Sequence, residues 1–96
     1  MVEIVCLEQN EQGEVVKTSN ARKYLSEHKE RVLEKEIRDV LRAYSINDSC
    51  YDMTHITCYG WGGYEVLLEN EKMNVLFFEV LSVDKYGRLL SYKVKF

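Results

Sequence analysis

Residues 20–44 form one uninterrupted stretch rich in strong helix formers, without a proline or glycine, and the rest of the chain must be arranged around it. Thr18, Ser19 and Asn20 offer N-cap side chains just before it, so the spacing predicts a helix over 20–44. Glu27 with Arg31 and Glu34 with Arg38 are acid-before-base pairs four residues apart, each adding about 0.3 to 0.5 kcal/mol on a solvated helix face. The interleaved carboxylates Glu30, Glu34, Glu36 and Asp39 read as that solvated face.

The apolar stripe of this segment is not straight. Tyr24, Leu25, His28 and Val32 gather on one side, whereas Leu33, Ile37, Val40, Leu41 and Tyr44 gather roughly 130° around the axis from them. Two explanations follow: two helical pieces meeting at residues 26–29 with Ser26 capping the second, or one helix burying two faces. The second explanation would suit a partner protein or a homodimer.

Strand patterns flank the helix. Residues 2–8 alternate, a turn at residues 10–13 follows, and 14–18 can return antiparallel to complete an N-terminal β-hairpin. After Asn47-Asp48 come four further strand patterns: 51–59, 64–69, 74–83 and 88–96. The most apolar of them, 74–83, is expected at the centre of the sheet. In the last, Leu90, Tyr92, Val94 and Phe96 are expected inward, and Leu89, Ser91, Lys93 and Lys95 outward. The fold class is therefore α+β: hairpin, long helix in one piece or broken into two, then a four-stranded antiparallel meander. The helix packs on one face of a curled sheet of five or six strands.

Strand, helix, meander order resembles that of cystatin-like proteins. The Gln-Val-Val-Ala-Gly segment and the Pro-Trp hairpin of cystatins are absent, so the resemblance carries no function.

Ninety-six residues make one domain spanning 1–96, and 46% apolar with 30% charged residues suits a folded chain. Thirteen basic against sixteen acidic residues give a net charge of −3, which disfavours general binding to nucleic acid. A local basic patch stands apart: Lys85, Arg88, Lys93 and Lys95 share residues 85–96 with no acid among them. The apolar runs 66–68 and 75–78 fall far short of the ~20 residues a membrane helix needs. Three cysteines, an odd number, and no secretory pattern after Met1 favour reduced thiols and a cytoplasmic location.

Cys50, His55 and Cys58, with Cys6, are the residue types of a zinc site, but their spacing falls on a strand, where His55 and Cys58 would point to opposite faces. A Cys58 nucleophile would need a nearby imidazole and a lowered thiol pKa, and nothing local supplies either. No metal, cofactor or catalytic residue is expected.

The most unusual local feature is Gly60-Trp61-Gly62-Gly63, which carries the one tryptophan and leads into a strand, so it is not a phosphate-binding loop. Trp61 flanked by Tyr59 and Tyr64 reads either as an exposed aromatic anchor or as a ring folded back to cap the core.

Three functional expectations result. The first is a non-enzymatic protein-interaction module, an inhibitor or regulator of a larger protein. On size class alone, it would be of the kind phages and mobile elements use against host defences. The second is a nucleic-acid-associated dimer using Lys85, Arg88, Lys93 and Lys95. The third is a small metal- or thiol-dependent enzyme using Cys50, His55 and Cys58.

Overall fold

A computed structural model describes residues 2–95. The elements are β1 (Glu3–Gln9), β2 (Val15–Lys17), α1 (Glu27–Ala43), a 3-10 turn (Asp48–Cys50), β3 (Tyr51–Tyr59), β4 (Tyr64–Asn70), β5 (Val75–Val83) and β6 (Leu89–Lys95). The six strands form one open mixed sheet in the order β2-β1-β3-β4-β5-β6. The N-terminal strand pair, single helix and antiparallel β3–β6 meander are those predicted, and the helix packs on one sheet face.

Three details differ from the sequence reading. β1 lies parallel to β3, with Cys6 opposite Cys58, because α1 carries the chain across the sheet and returns it alongside its first strand. The helix also starts seven residues later than predicted. Asn20 spends its side chain on an Asx turn, its Oδ1 accepting the Arg22 N–H, while Ser26 is the N-cap and accepts the Lys29 N–H at 3.2 Å. Tyr24 and Leu25 thus belong to a loop, and Leu25 enters the core from there. The displaced stripe dissolves, and with it the reason to expect a second helix face or a homodimer built on one.

The helix ends in a Schellman arrangement. Ser45 takes φ 61°, its N–H meets the Arg42 carbonyl, and the Ile46 N–H meets the Leu41 carbonyl. Arg38 then ties the helix to the following turn by donating to the carbonyls of Asp48 at 2.6 Å and Tyr51 at 3.2 Å.

The third difference concerns β5 and β6. β5 is second from the edge, and β3 and β4 occupy the centre. Irregular pairing around Ser82 shifts the β5–β6 register, so Leu89 is half-buried while Leu90 is 64% exposed, the reverse of the alternation predicted. Tyr92 is only partly covered, its ring 6.2 Å from that of Phe78. The inward placement predicted for Phe96 lies outside the described residues.

The core sits between α1 and one sheet face. Leu33, Ile37 and Leu41 of the helix meet Ile56, Val66, Leu68, Phe78 and Val80 of the strands, all buried. Truncating a fully buried ring such as Phe78 to Ala costs about 3 to 5 kcal/mol. No described helix is long and apolar enough to cross a membrane.

Candidate docking face

Strand alternation sends one half of each strand to the helix side and the other half to the opposite face, where none of the described elements packs. This open face carries Val5, Leu7, Tyr59, Leu67, Phe77 and Leu81. Leu67 pairs with Phe77 across β4 and β5, with both half-buried by their neighbours alone. Leu81 is 45% exposed.

The Gly60–Gly63 loop closes one end of the face. A turn holds it, with the Gly62 N–H meeting the Tyr59 carbonyl at 3.0 Å and the Gly60 N–H meeting the Leu7 carbonyl at 2.7 Å. Gly63 has φ +87°, and a Cβ there would stand 2.6 Å from the Val80 carbonyl oxygen, so the loop lies tight against β5. Trp61 does not fold back over the core. It is 53% exposed and packs its ring against Tyr59, centroids 5.1 Å apart and planes tilted by 37°.

Tyr59 belongs to the open face, whereas Tyr64 does not flank Trp61 on that face. It shares the helix-side alternation of Val66 and Leu68, and its hydroxyl lies 3.5 Å from the Tyr24 carbonyl. Burial raises the Tyr64 hydroxyl pKa. Burial first, and then the Glu65 carboxylate beside it, raise that of Tyr59, with Glu79 adding to the effect.

Across the face runs the cross-strand row Val5, Thr57, Glu65, Glu79 and Lys93. Glu65 and Glu79 are thus direct neighbours of like charge, an arrangement that destabilises a sheet. The ion pairs among the described residues lie elsewhere, and neither carboxylate takes part in one. Between the loop and this carboxylate pair is a groove of about 290 Å³, whose lining includes Tyr59, Trp61, Tyr64, Glu65, Glu79 and Leu81. Sequence reading singled out Trp61 and Tyr59 but missed Glu65, Glu79, Leu67 and Phe77. The pairing register brings these four together, and no single strand reveals it.

The basic residues do not make one patch. Lys85 and Arg88 flank the β5–β6 turn, with the Lys85 ammonium 5.1 Å from the Tyr86 ring centre. Lys95 stands at the far end of β6, roughly 23 Å away at 3.3 Å per residue. Lys93 lies opposite Glu79, and Lys95 sits 5.7 Å from the Phe77 ring centre.

Nor do the thiols and histidines assemble. Cys58 is buried on the helix side; His55 is exposed on the open side, its Nε2 3.6 Å from Glu3. Cys50 is exposed in the 3-10 turn. The two buried thiols are therefore Cys6 and Cys58, with the Cys6 Sγ donating to the Ala21 carbonyl at 3.0 Å. Burial, and then neighbouring Cys6, push the Cys58 thiol far above its ordinary pKa, opposite to what a nucleophile needs. Among the described residues no group of three His, Cys, Asp or Glu is arranged to hold a metal ion.

Comparison with protein families, curated proteins and solved structures found no match.

Proposed function

We propose that this chain is a protein-interaction module without catalytic activity of its own, which docks another protein onto the open face of its sheet, with Trp61 as an anchor. The observation that carries this reading is a sheet face on which none of the described elements packs, with Leu67 beside Phe77 on one side of the Glu65–Glu79 pair and the exposed Leu81 and Trp61 on the other. Aromatic anchors ringed by polar groups are typical of binding hot spots, and exposed apolar patches of this kind mark interaction sites. Occupying a functional surface of a larger protein in this way would make the chain an inhibitor or regulator of it.

The test is capture from the native host with the intact chain as bait, followed by affinity measurement on the partner recovered. Trp61→Ala and Leu67→Lys, each checked for an unchanged fold, should weaken binding at least tenfold, which corresponds to about 1.4 kcal/mol. Unaltered affinity in both variants would remove the open face from the function.

A further inference from the structure

The open face is not simply apolar. Its groove joins two aromatic rings to two carboxylates on adjacent strands, and among the described residues neither carboxylate takes part in an ion pair, although Lys93 lies across from Glu79 on β6. At the β6 side of the same face, by contrast, Lys95 already sits beside the Phe77 ring. Among the described residues no cation lies over Trp61 or Tyr59.

We propose that the groove between the Trp61 loop and the Glu65–Glu79 pair receives an arginine side chain of the partner protein. The inference rests on the reading of the open face as a docking surface, and it specifies the chemistry of the occupant. A guanidinium is planar and weakly hydrated, so it can stack on the Trp61 and Tyr59 rings, while its fork of N–H donors spans two neighbouring carboxylates. An ammonium is a compact point charge, more strongly hydrated, and cannot do both as well. A second copy of this chain suits the groove less well as the occupant. The cations that the described residues carry on this face are the lysines Lys93 and Lys95, so two stacked open faces would offer each groove an ammonium and not a planar fork. An incoming arginine instead relieves the repulsion between Glu65 and Glu79 that the free sheet carries.

The probe is acetyl-Gly-Arg-Gly-amide, compared at low salt with the same peptide carrying lysine or the neutral isostere citrulline. Trp61 is the one tryptophan, so its fluorescence and its indole N–H resonance report on the groove directly. The arginine peptide should give a saturable change of both signals in the millimolar range, at least about tenfold weaker for citrulline and weaker for lysine. E65Q together with E79Q should abolish the arginine preference while leaving the fold intact. No saturable response to the arginine peptide, an equal response to citrulline or lysine, or a preference that survives in the double variant would overturn the proposal. A host partner that is lost on Leu67→Lys but unaffected by the double variant would overturn the arginine site alone and leave the docking face standing. A partner unaffected by either substitution would overturn both.

Discussion

The carboxylate of Glu36, on the helix, accepts the backbone N–H of Leu89, at the start of the edge strand, with Oε1 3.1 Å from the nitrogen. The two residues are 53 positions apart, and this bond fastens β6 to the helix where the irregular pairing around Ser82 weakens its hold on β5. A partly buried backbone donor left without its charged acceptor costs about 1 to 3 kcal/mol. Glu36→Ala is therefore expected to lower stability by about 1 to 2 kcal/mol, and Glu36→Gln, which keeps an acceptor oxygen, by much less. Denaturant melts of both variants, with hydrogen exchange of the Leu89 amide, provide the measurement; equal losses would dismiss the bond as a fastening.

Glu65 and Glu79 predict the opposite sign. Like charges directly across a strand pair repel, so replacing Glu65 with glutamine should raise stability by about 0.5 kcal/mol at low salt, a gain that shrinks as salt is added, whereas Glu79 also lies opposite Lys93 and its replacement should gain less. A substitution that stabilises the fold while weakening partner binding is the signature of a site kept for function rather than for folding. Thermal melts at two ionic strengths decide it.

The thiols should separate by rate. Cys50 is exposed, whereas Cys6 and Cys58 are buried and the Cys58 pKa is pushed up by burial and by Cys6. A thiol reagent at neutral pH should therefore label Cys50 quickly and the other two only as fast as the protein opens. Cys50→Ser should remove the fast phase entirely. Rapid native-state labelling of Cys58 would revive the thiol chemistry that the structure speaks against.

Much of this fold is legible in sequence because alternation is a local property: residues 51–59 read as a strand, and β3 has those bounds. The break is legible in the shifted stripe, which offers Ser26 as the cap of a second piece, but the loop before it is not, because 20–25 are adequate helix formers. Only the choice between Asn20 and Ser26 as cap decides it, and tertiary placement of Leu25 makes that choice. The parallel pairing of β1 with β3 depends on the helical crossover, which no strand encodes alone. β5 misled for a more useful reason. Its run of apolar residues suggested burial on both faces, yet Val75, Phe77 and Leu81 lie on the side on which none of the described elements packs. The misjudged position of β5 and the neglected open face therefore have one cause, an apolar strand read as covered on both sides.

Acid should loosen the loop that precedes the helix. Glu8 accepts the Tyr24 hydroxyl at 2.6 Å and pairs with Lys23 at 2.9 Å, and these two contacts, the tyrosine first, hold its pKa below the ordinary carboxylate value. Asp48 is lowered likewise, chiefly by its hydrogen bonds from Arg42. A carboxylate with a depressed folded-state pKa contributes stability that is present above its unfolded value and is lost as pH falls through the folded one. Melting temperature should thus decline on acidification below about pH 4, and less steeply in Glu8→Gln. The same clasp raises the pKa of Tyr24, mainly through Glu8, so that part of its stability holds below about pH 10 and fades above it. A melting temperature flat from pH 5 to pH 2.5 would exclude the clasp as a source of stability.

The Trp61 loop depends on two glycines for different reasons, and alanine can tell them apart. Gly62 has φ +119° with open space where a Cβ would go, so Gly62→Ala pays only for backbone strain, about 1 to 3 kcal/mol. Gly63 has φ +87° and lies so close to β5 that a Cβ would stand 2.6 Å from the Val80 carbonyl. Gly63→Ala must both strain the backbone and push the loop off that strand, at a cost of about 2 to 4 kcal/mol. The displacement should also pull Trp61 away from Tyr59, shifting its emission and weakening partner binding beyond what stability loss explains. Equal costs at the two positions, with Trp61 emission unchanged, would mean that the close approach to β5 does not hold the aromatic anchor in place.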